Sequence, residues 1–380
     1  MVVFAELGAG QNNLVNMYTW TPEQRERWRA HRKLIHHGVG IQAVRKYRSF
    51  QNDESRLVAL DLLSTPEKYV QAFERYATSV VSIIGFGRRV ESWNDPIITE
   101  VIATMHLAAD LNVPGKRFPM IMESFPILSK FPNCIAPWKR GLGKARSFNF
   151  FFALADEAAQ KPGHEDSFVK YLFSEREKYN LREEEISSLT GNLFGAGSDT
   201  SSSTLITFIL ACCAFPETLP PAWEELDRVV GWDRSPHFDD EPNLPYVKAF
   251  VKEVFRWRSV AIIGGQPHAP TQDDYYKGWL IPKGTWVQGN VWAIHHNERE
   301  FPEPDRFKPS RFLKDDPDSR PFPGERGYHT FGWGRRVCSG QALAEQGTWV
   351  TIARLLWAFN IQKKRRPDGS VVEVDIFNYT

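Results

Sequence analysis

A single cysteine set in a glycine-rich turn carries the most explicit chemistry in this 380-residue chain. Residues 331–340 read Phe-Gly-Trp-Gly-Arg-Arg-Val-Cys-Ser-Gly, and a helical pattern over about 340–358 follows Cys338. Backbone N–H groups and the positive end of a helix favour a thiolate there, which is the metal-binding form. Gly334 permits a tight turn, and Gly340 lets the following helix approach a flat ligand closely. Phe331 offers an aromatic wall and Arg336 a donor for an anion. No His or second Cys stands nearby at chelating spacing. One thiolate alone suits an axial position on a metal that another ligand already chelates better than it suits zinc, and a haem fits.

Three other patterns could do chemistry. Ala196-Gly197-Ser198-Asp199-Thr200 falls in the middle of a long helical pattern, where glycines and small hydroxyl residues make a poor helix interior. A hydroxyl beside a carboxylate can pass protons. Glu253 and Arg256 stand one helical turn apart, a spacing that by itself is commonly an exposed ion pair worth little. Trp28 and Arg32, four residues apart, share a helix face on which an indole N–H and a guanidinium can bind a carboxylate.

With these segments in this order, the chain resembles the cytochrome P-450 family. Residues 331–340 match the family's Phe-x-x-Gly-x-Arg-x-Cys-x-Gly pattern without departure, and the likeness extends from about Thr21 to about Asn360. The resemblance implies a mainly α fold with a small β region (α+β) and a heme b whose iron takes Cys338 as axial ligand. It implies that Asp199 and Thr200 form the oxygen-activation pair, with Gly197 making room for dioxygen. Phe331 and Gly340 would lie against the haem, and Trp28, Arg32, His268 and Arg336 would bind its propionates. Glu253, Arg256 and Arg311 would form a buried structural cluster that locks the cysteine loop. Arg311 lies in Pro309-Ser310-Arg311-Phe312, where Ser310 replaces the family's Glu.

The activity implied is a monooxygenase. It inserts one oxygen atom of O2 into a small hydrophobic organic substrate, with electrons from an NADPH-cytochrome reductase. The style of residues 263–292 and of the cysteine loop is similar to fungal secondary-metabolism members, some of which oxidise aromatics or polyketides. A haem-thiolate isomerase or dehydratase that needs neither O2 nor reductase is the alternative, and a non-catalytic haem protein is a third reading. Arg25, Arg27, Arg29, Arg32 and Lys33 on the first helix, with Arg335, would offer the reductase a basic surface. Full-length relatives sit on the cytosolic face of the endoplasmic reticulum through an N-terminal anchor.

The composition is compatible with this and excludes other classes. With 47 Lys+Arg against 46 Asp+Glu and no basic block, the chain is no binder of nucleic acid by phosphate neutralisation. Four cysteines, two of them the adjacent Cys212 and Cys213, are no disulfide framework and point to a reducing, intracellular compartment. No signal peptide is visible, and the longest apolar run, Leu205–Phe215, is too short to span a bilayer.

Helices must position the chemistry. Thr21-Pro22-Glu23-Gln24 predicts a capped helix start, and Thr65-Pro66-Glu67 a second one with a helix to about Val81. Further helices are expected over 97–109, 145–159, 166–178, a long 182–215, and near 220–230 and 246–258. Short strands and turns fill 260–292, followed by a proline-rich coil over 297–330. The expected organisation is a single haem-thiolate domain over residues 1–380. Only 27 residues precede Trp28, so the anchor, first helices and part of the sheet of the family are expected to be missing.

Overall fold

In the computed structural model, Thr21 closes the capping box that its sequence context predicts. Its hydroxyl accepts the Gln24 N–H at 3.2 Å, and its own N–H donates to Gln24 Oε1 at 3.1 Å, opening α1 (Pro22–Val39). Two donors orphaned by the helix start are thereby satisfied. The structure describes residues 21–111, 144–162, 167–265, 267–313 and 327–377, with a few positions between 121 and 132.

After α2 (Ile41–Val44) and a 3-10 turn comes α3 (Arg48–Ser64), a helix the sequence reading missed. No side-chain cap marks its start, and its buried face includes Gln51, Glu54 and Ser55, so the apolar period is obscured. Thr65 does not cap the next helix. Its N–H and hydroxyl both donate to the Asp61 carbonyl, at 2.8 and 3.1 Å, and so close α3. A 3-10 turn at Pro66–Lys68 then leads into α4 (Tyr69–Phe86), which runs past its predicted end near Val81.

The chain continues through α5 (Pro96–Leu111), α6 (Lys144–Gln160), α7 (Phe168–Ser174), which Ser167 caps, and α8 (Arg176–Tyr179). The 32-residue α9 (Glu183–Ala214) opens on three glutamates, as the helix dipole favours. Next come α10 (Leu219–Val229), α11 (Pro245–Trp257), β1 (Asp274–Tyr276), β2 (Trp279–Ile281), α12 (Val291–His295) and α13 (Gln341–Ala358). β1 and β2 pair antiparallel with Tyr275 opposite Leu280. Lys277 and Gly278 join them with φ of 50° and 85°, the left-handed backbone of a two-residue hairpin turn. The architecture is mainly helical with a small β region, as expected.

Two compact units divide the chain. One comprises residues up to Arg45 and Glu74–Asp199, the other Lys46–Phe73 and everything from Thr200 onward. The core of the first holds Leu34 and Ile35 of α1, Ile84 of α4, and Leu189 and Phe194 of α9. In the second, Phe307 packs edge-on against Phe250 and Trp257 of α11, with ring centroids 4.8 and 5.6 Å away. There α13 lies on α3, where buried Arg354 donates to the carbonyls of Asn52 (2.9 Å) and Pro236 (2.6 Å). Among the described residues no single helix is long and apolar enough to cross a membrane.

Candidate active site

The cysteine loop belongs to the second unit and is built on two left-handed glycines, Gly332 (φ 76°) and Gly334 (φ 57°), where a side chain would strain the backbone. The Cys338 N–H donates to the Phe331 carbonyl at 2.9 Å, which folds the loop back on itself ahead of α13. Phe331 packs against Phe255 of α11, with ring centroids 5.2 Å apart, and Trp333 fills the space a side chain on Gly289 would need. Cys338 is exposed, and the nearest heavy atom to a Cβ built on Gly340 is its Sγ, at 3.9 Å. Arg336 is half-buried on the 3-10 turn Gly334–Arg336. Cys134 lies outside the described residues.

The structure brings Glu253, Arg256 and Arg311 together. Arg256 clasps Glu253 with two hydrogen bonds of 2.7 and 2.8 Å, Arg311 Nε adds a third at 3.1 Å, and the Lys308 N–H a fourth at 2.9 Å. All three side chains are buried, so each charge needs its partners. Among the described residues the cluster's own hydrogen bonds run to segments other than 331–340. Its remaining donors reach the carbonyls of His295 (2.8 Å), Pro302 (3.1 Å) and Pro304 (2.9 Å), holding α12 and the proline-rich coil.

The loop itself is gripped by groups that the sequence reading did not single out. Thr330 Oγ1 donates to the Phe255 carbonyl at 2.6 Å and lies 3.0 Å from Ser259 Oγ. The His329 N–H donates to His295 Nε2 at 2.8 Å, and His295 Nδ1 lies 3.1 Å from Ser259 Oγ. A ring nitrogen that accepts an N–H carries no proton, so His295 is neutral with its proton on Nδ1. Burial, and then the Arg256 charge, push its pKa down to about 3. The adjacent His295-His296 pair is therefore a core feature and no metal site.

His268 is exposed and pairs through its backbone with Val287, at 2.9 and 2.7 Å. In the first unit, Trp28 and Arg32 are both half-buried on α1. That helix is fastened to the start of α9 by fully buried Glu185, which receives Arg27 and lies 3.0 Å from His31 Nε2. These bonds hold the Glu185 carboxyl well below the usual carboxylate range despite its burial.

Asp199 and Thr200 are neighbours on α9, Asp199 half-buried and Thr200 exposed. Burial raises the Asp199 pKa, and the charge of His106 on α5 opposes the rise. Glu74 on α4 is raised too, first by burial and then by the Asp199 charge. Gly197 has a packing reason to be glycine, because a Cβ there would strike Val81 Cγ1 of α4.

The donor set fits a haem. Among the described residues no three His, Cys, Asp or Glu converge to make a metal site of their own, so Cys338 offers one soft ligand to a metal chelated elsewhere. Nothing lies within 4 Å of a Cβ built on Gly332 or Gly334, so the loop's outer face is open to a flat group.

A helical fold with Cys338 exposed on a glycine turn ahead of a helix is the arrangement that a haem-thiolate protein needs. The family model for cytochrome P450 matches residues 11–372, and the chain belongs to that family. Among relatives, the cytochrome P450 monooxygenase verL of Clonostachys rogersoniana is 34% identical over 364 residues, covering 91% of this chain and 66% of that protein. Cytochrome P450 monooxygenase 58 of Postia placenta is 35% identical over 353 residues, with the same coverage. The chain thus spans about two thirds of the length of the curated relatives it matches. A zebrafish cytochrome P450 structure with progesterone superposes with a TM-score of 0.74 at 24% identity, over 94% of this chain and 80% of that one. That likeness establishes the fold.

Proposed function

We propose that the protein is a haem-thiolate monooxygenase that oxidises a small hydrophobic organic substrate, aromatic or polyketide in character, with electrons from an NADPH-dependent reductase. The observation that carries the reading is the exposed Cys338 on its doubly left-handed loop, within a family whose members bind haem through such a cysteine. Heme b, when bound, supplies the activation of dioxygen. Cys338 would donate its thiolate Sγ to the iron, Phe331 and Gly340 would flank the ring, and Trp28, Arg32, His268 and Arg336 would hold the propionates. Thr200 Oγ1 can accept a proton on one side while donating on the other. Asp199, its carboxyl raised by burial, is suited to hold a proton and pass it to Thr200. The relatives named as monooxygenases favour this over the isomerase reading.

The test is spectroscopic. Reduced protein under carbon monoxide should give the long-wavelength band of thiolate-bound haem. Cys338→His should lose that band and Cys134→Ala should keep it. Loss of the band in Cys134→Ala with retention in Cys338→His would overturn the assignment.

A further inference from the structure

Among the described residues the hydrogen bonds of the buried Glu253–Arg256–Arg311 cluster run to segments other than 331–340, yet one residue touches both the cluster and the start of the cysteine loop. Arg256 Nη1 donates to the main-chain carbonyl of His295 at 2.8 Å, and the imidazole of the same residue accepts the His329 N–H at 2.8 Å. His329 opens the turn that carries the ligand, since its carbonyl accepts the Gly332 N–H at 3.0 Å. On its other side the ring meets Ser259 Oγ, which donates to the Phe255 carbonyl at 2.7 Å. Thr330 Oγ1 donates to that same carbonyl at 2.6 Å, tying the loop to the end of α11. His295 is 1% exposed. The groups facing its ring are Arg256, His296 and His329, with Phe301 edge-on at 6.0 Å between centroids.

We infer that His295 is a positioning residue for the haem ligand, a neutral imidazole that transmits the placement of the Glu253–Arg256 cluster to the backbone of the loop bearing Cys338. Its acceptor nitrogen is what matters. A protonated ring would present N–H to N–H at His329, so the contact survives only while the ring stays neutral. A ligand loop held at its first residue has less freedom to swing the sulfur away, as outer-shell partners do for other metal ligands. The inference rests on Cys338 being the iron ligand.

The experiment compares three substitutions in the haem-loaded full-length protein. His295→Gln reaches the position of Nε2 and keeps an acceptor for the His329 N–H. His295→Asn reaches only to Nδ1 and keeps only the Ser259 side. His295→Phe removes both. Each sample is titrated with urea while the carbon-monoxide band and the far-ultraviolet helix signal are recorded together. For parent and His295→Gln the long-wavelength band should disappear together with the helix signal. For His295→Asn and His295→Phe it should convert to the short-wavelength band at lower urea, about ten-fold faster at fixed urea, with the helix signal intact.

Three results would overturn the inference. In the first, His295→Asn keeps the parent's band stability. In the second, the band is lost in step with the helix signal in every variant. In the third, His295→Asn and His295→Phe fail to fold at all, which would make the residue a fold determinant only. Absence of the long-wavelength band in the parent itself would instead bring down the Cys338 reading, and this inference with it.

Discussion

Thr200 and Asp199 are adjacent yet differ in environment, and that difference sets what each substitution should do. Thr200 is exposed, so Thr200→Ala removes a hydroxyl without opening a cavity, and haem and substrate binding should survive. Proton delivery should not survive, and NADPH electrons should appear as hydrogen peroxide, measured as the ratio of peroxide to product. Unchanged coupling would remove Thr200 from the relay. Asp199→Asn should slow turnover with less diversion to peroxide, because the hydroxyl stays. Glu253 behaves in the opposite way, because it is fully buried and holds two guanidinium groups. Glu253→Ala leaves Arg256 and Arg311 as buried charges without their carboxylate. It should destabilise the fold by about 3–5 kcal/mol, read from denaturant midpoints.

At the scale of elements, α9 is constrained by close approaches along its length. A Cβ on Gly195 would lie 2.8 Å from Met105 Sδ of α5, and one on Gly197 would strike Val81 of α4. Gly197→Ala should cost about 1–3 kcal/mol by overpacking. The double variant Gly197→Ala with Val81→Ala should recover part of that loss. Recovery of stability without recovery of activity would support a role for Gly197 toward dioxygen beyond packing. Helix α1, which carries Trp28 and Arg32, is fixed by Glu185 through Arg27 and His31. Glu185→Ala should lower stability by about 3 kcal/mol and reduce haem retention, since the indole and guanidinium lose their fixed bearing. Normal haem content in a destabilised variant would separate the two effects.

For the whole molecule, the titrating groups predict the direction of the pH response. His295, His296 and His329 all have pKa values lowered by burial. The unfolded chain therefore binds their protons first. Their contribution is complete above the ordinary value of 6.5 and is lost as pH falls below it, by about 1.4 kcal/mol per pH unit for each fully depressed ring. Glu185, depressed in the fold, adds a further loss below the usual carboxylate range, whereas the raised Asp199 and Glu74 act in the opposite sense. The urea midpoint should fall between pH 7 and pH 5, and His295→Gln should flatten that slope. An unchanged slope would show that His295 is not the titrating group. Exposed Arg29 and Lys33 of α1 define a second response. Reversing both charges should slow reduction by the proposed reductase at low salt, with the difference shrinking as salt is added.

The sequence by itself determined the family, the cysteine loop and most of the helices. The ten-residue cysteine pattern, the Asp199–Thr200 pair and the Thr21 capping box are local, and short-range backbone and side-chain rules decide them. It did not disclose α3, because polar residues buried by tertiary packing against α13 broke the apolar period. It also assigned Thr65 to the wrong helix, because a threonine before a proline can equally close the preceding turn. Only the tertiary structure decided that the Glu253 cluster hydrogen-bonds α12 and the proline-rich coil. It alone showed that His295, 34 residues from His329 in the chain, completes the connection. Contacts of that kind depend on which backbone N–H and carbonyl groups meet once distant segments pack, and no spacing along the chain encodes them.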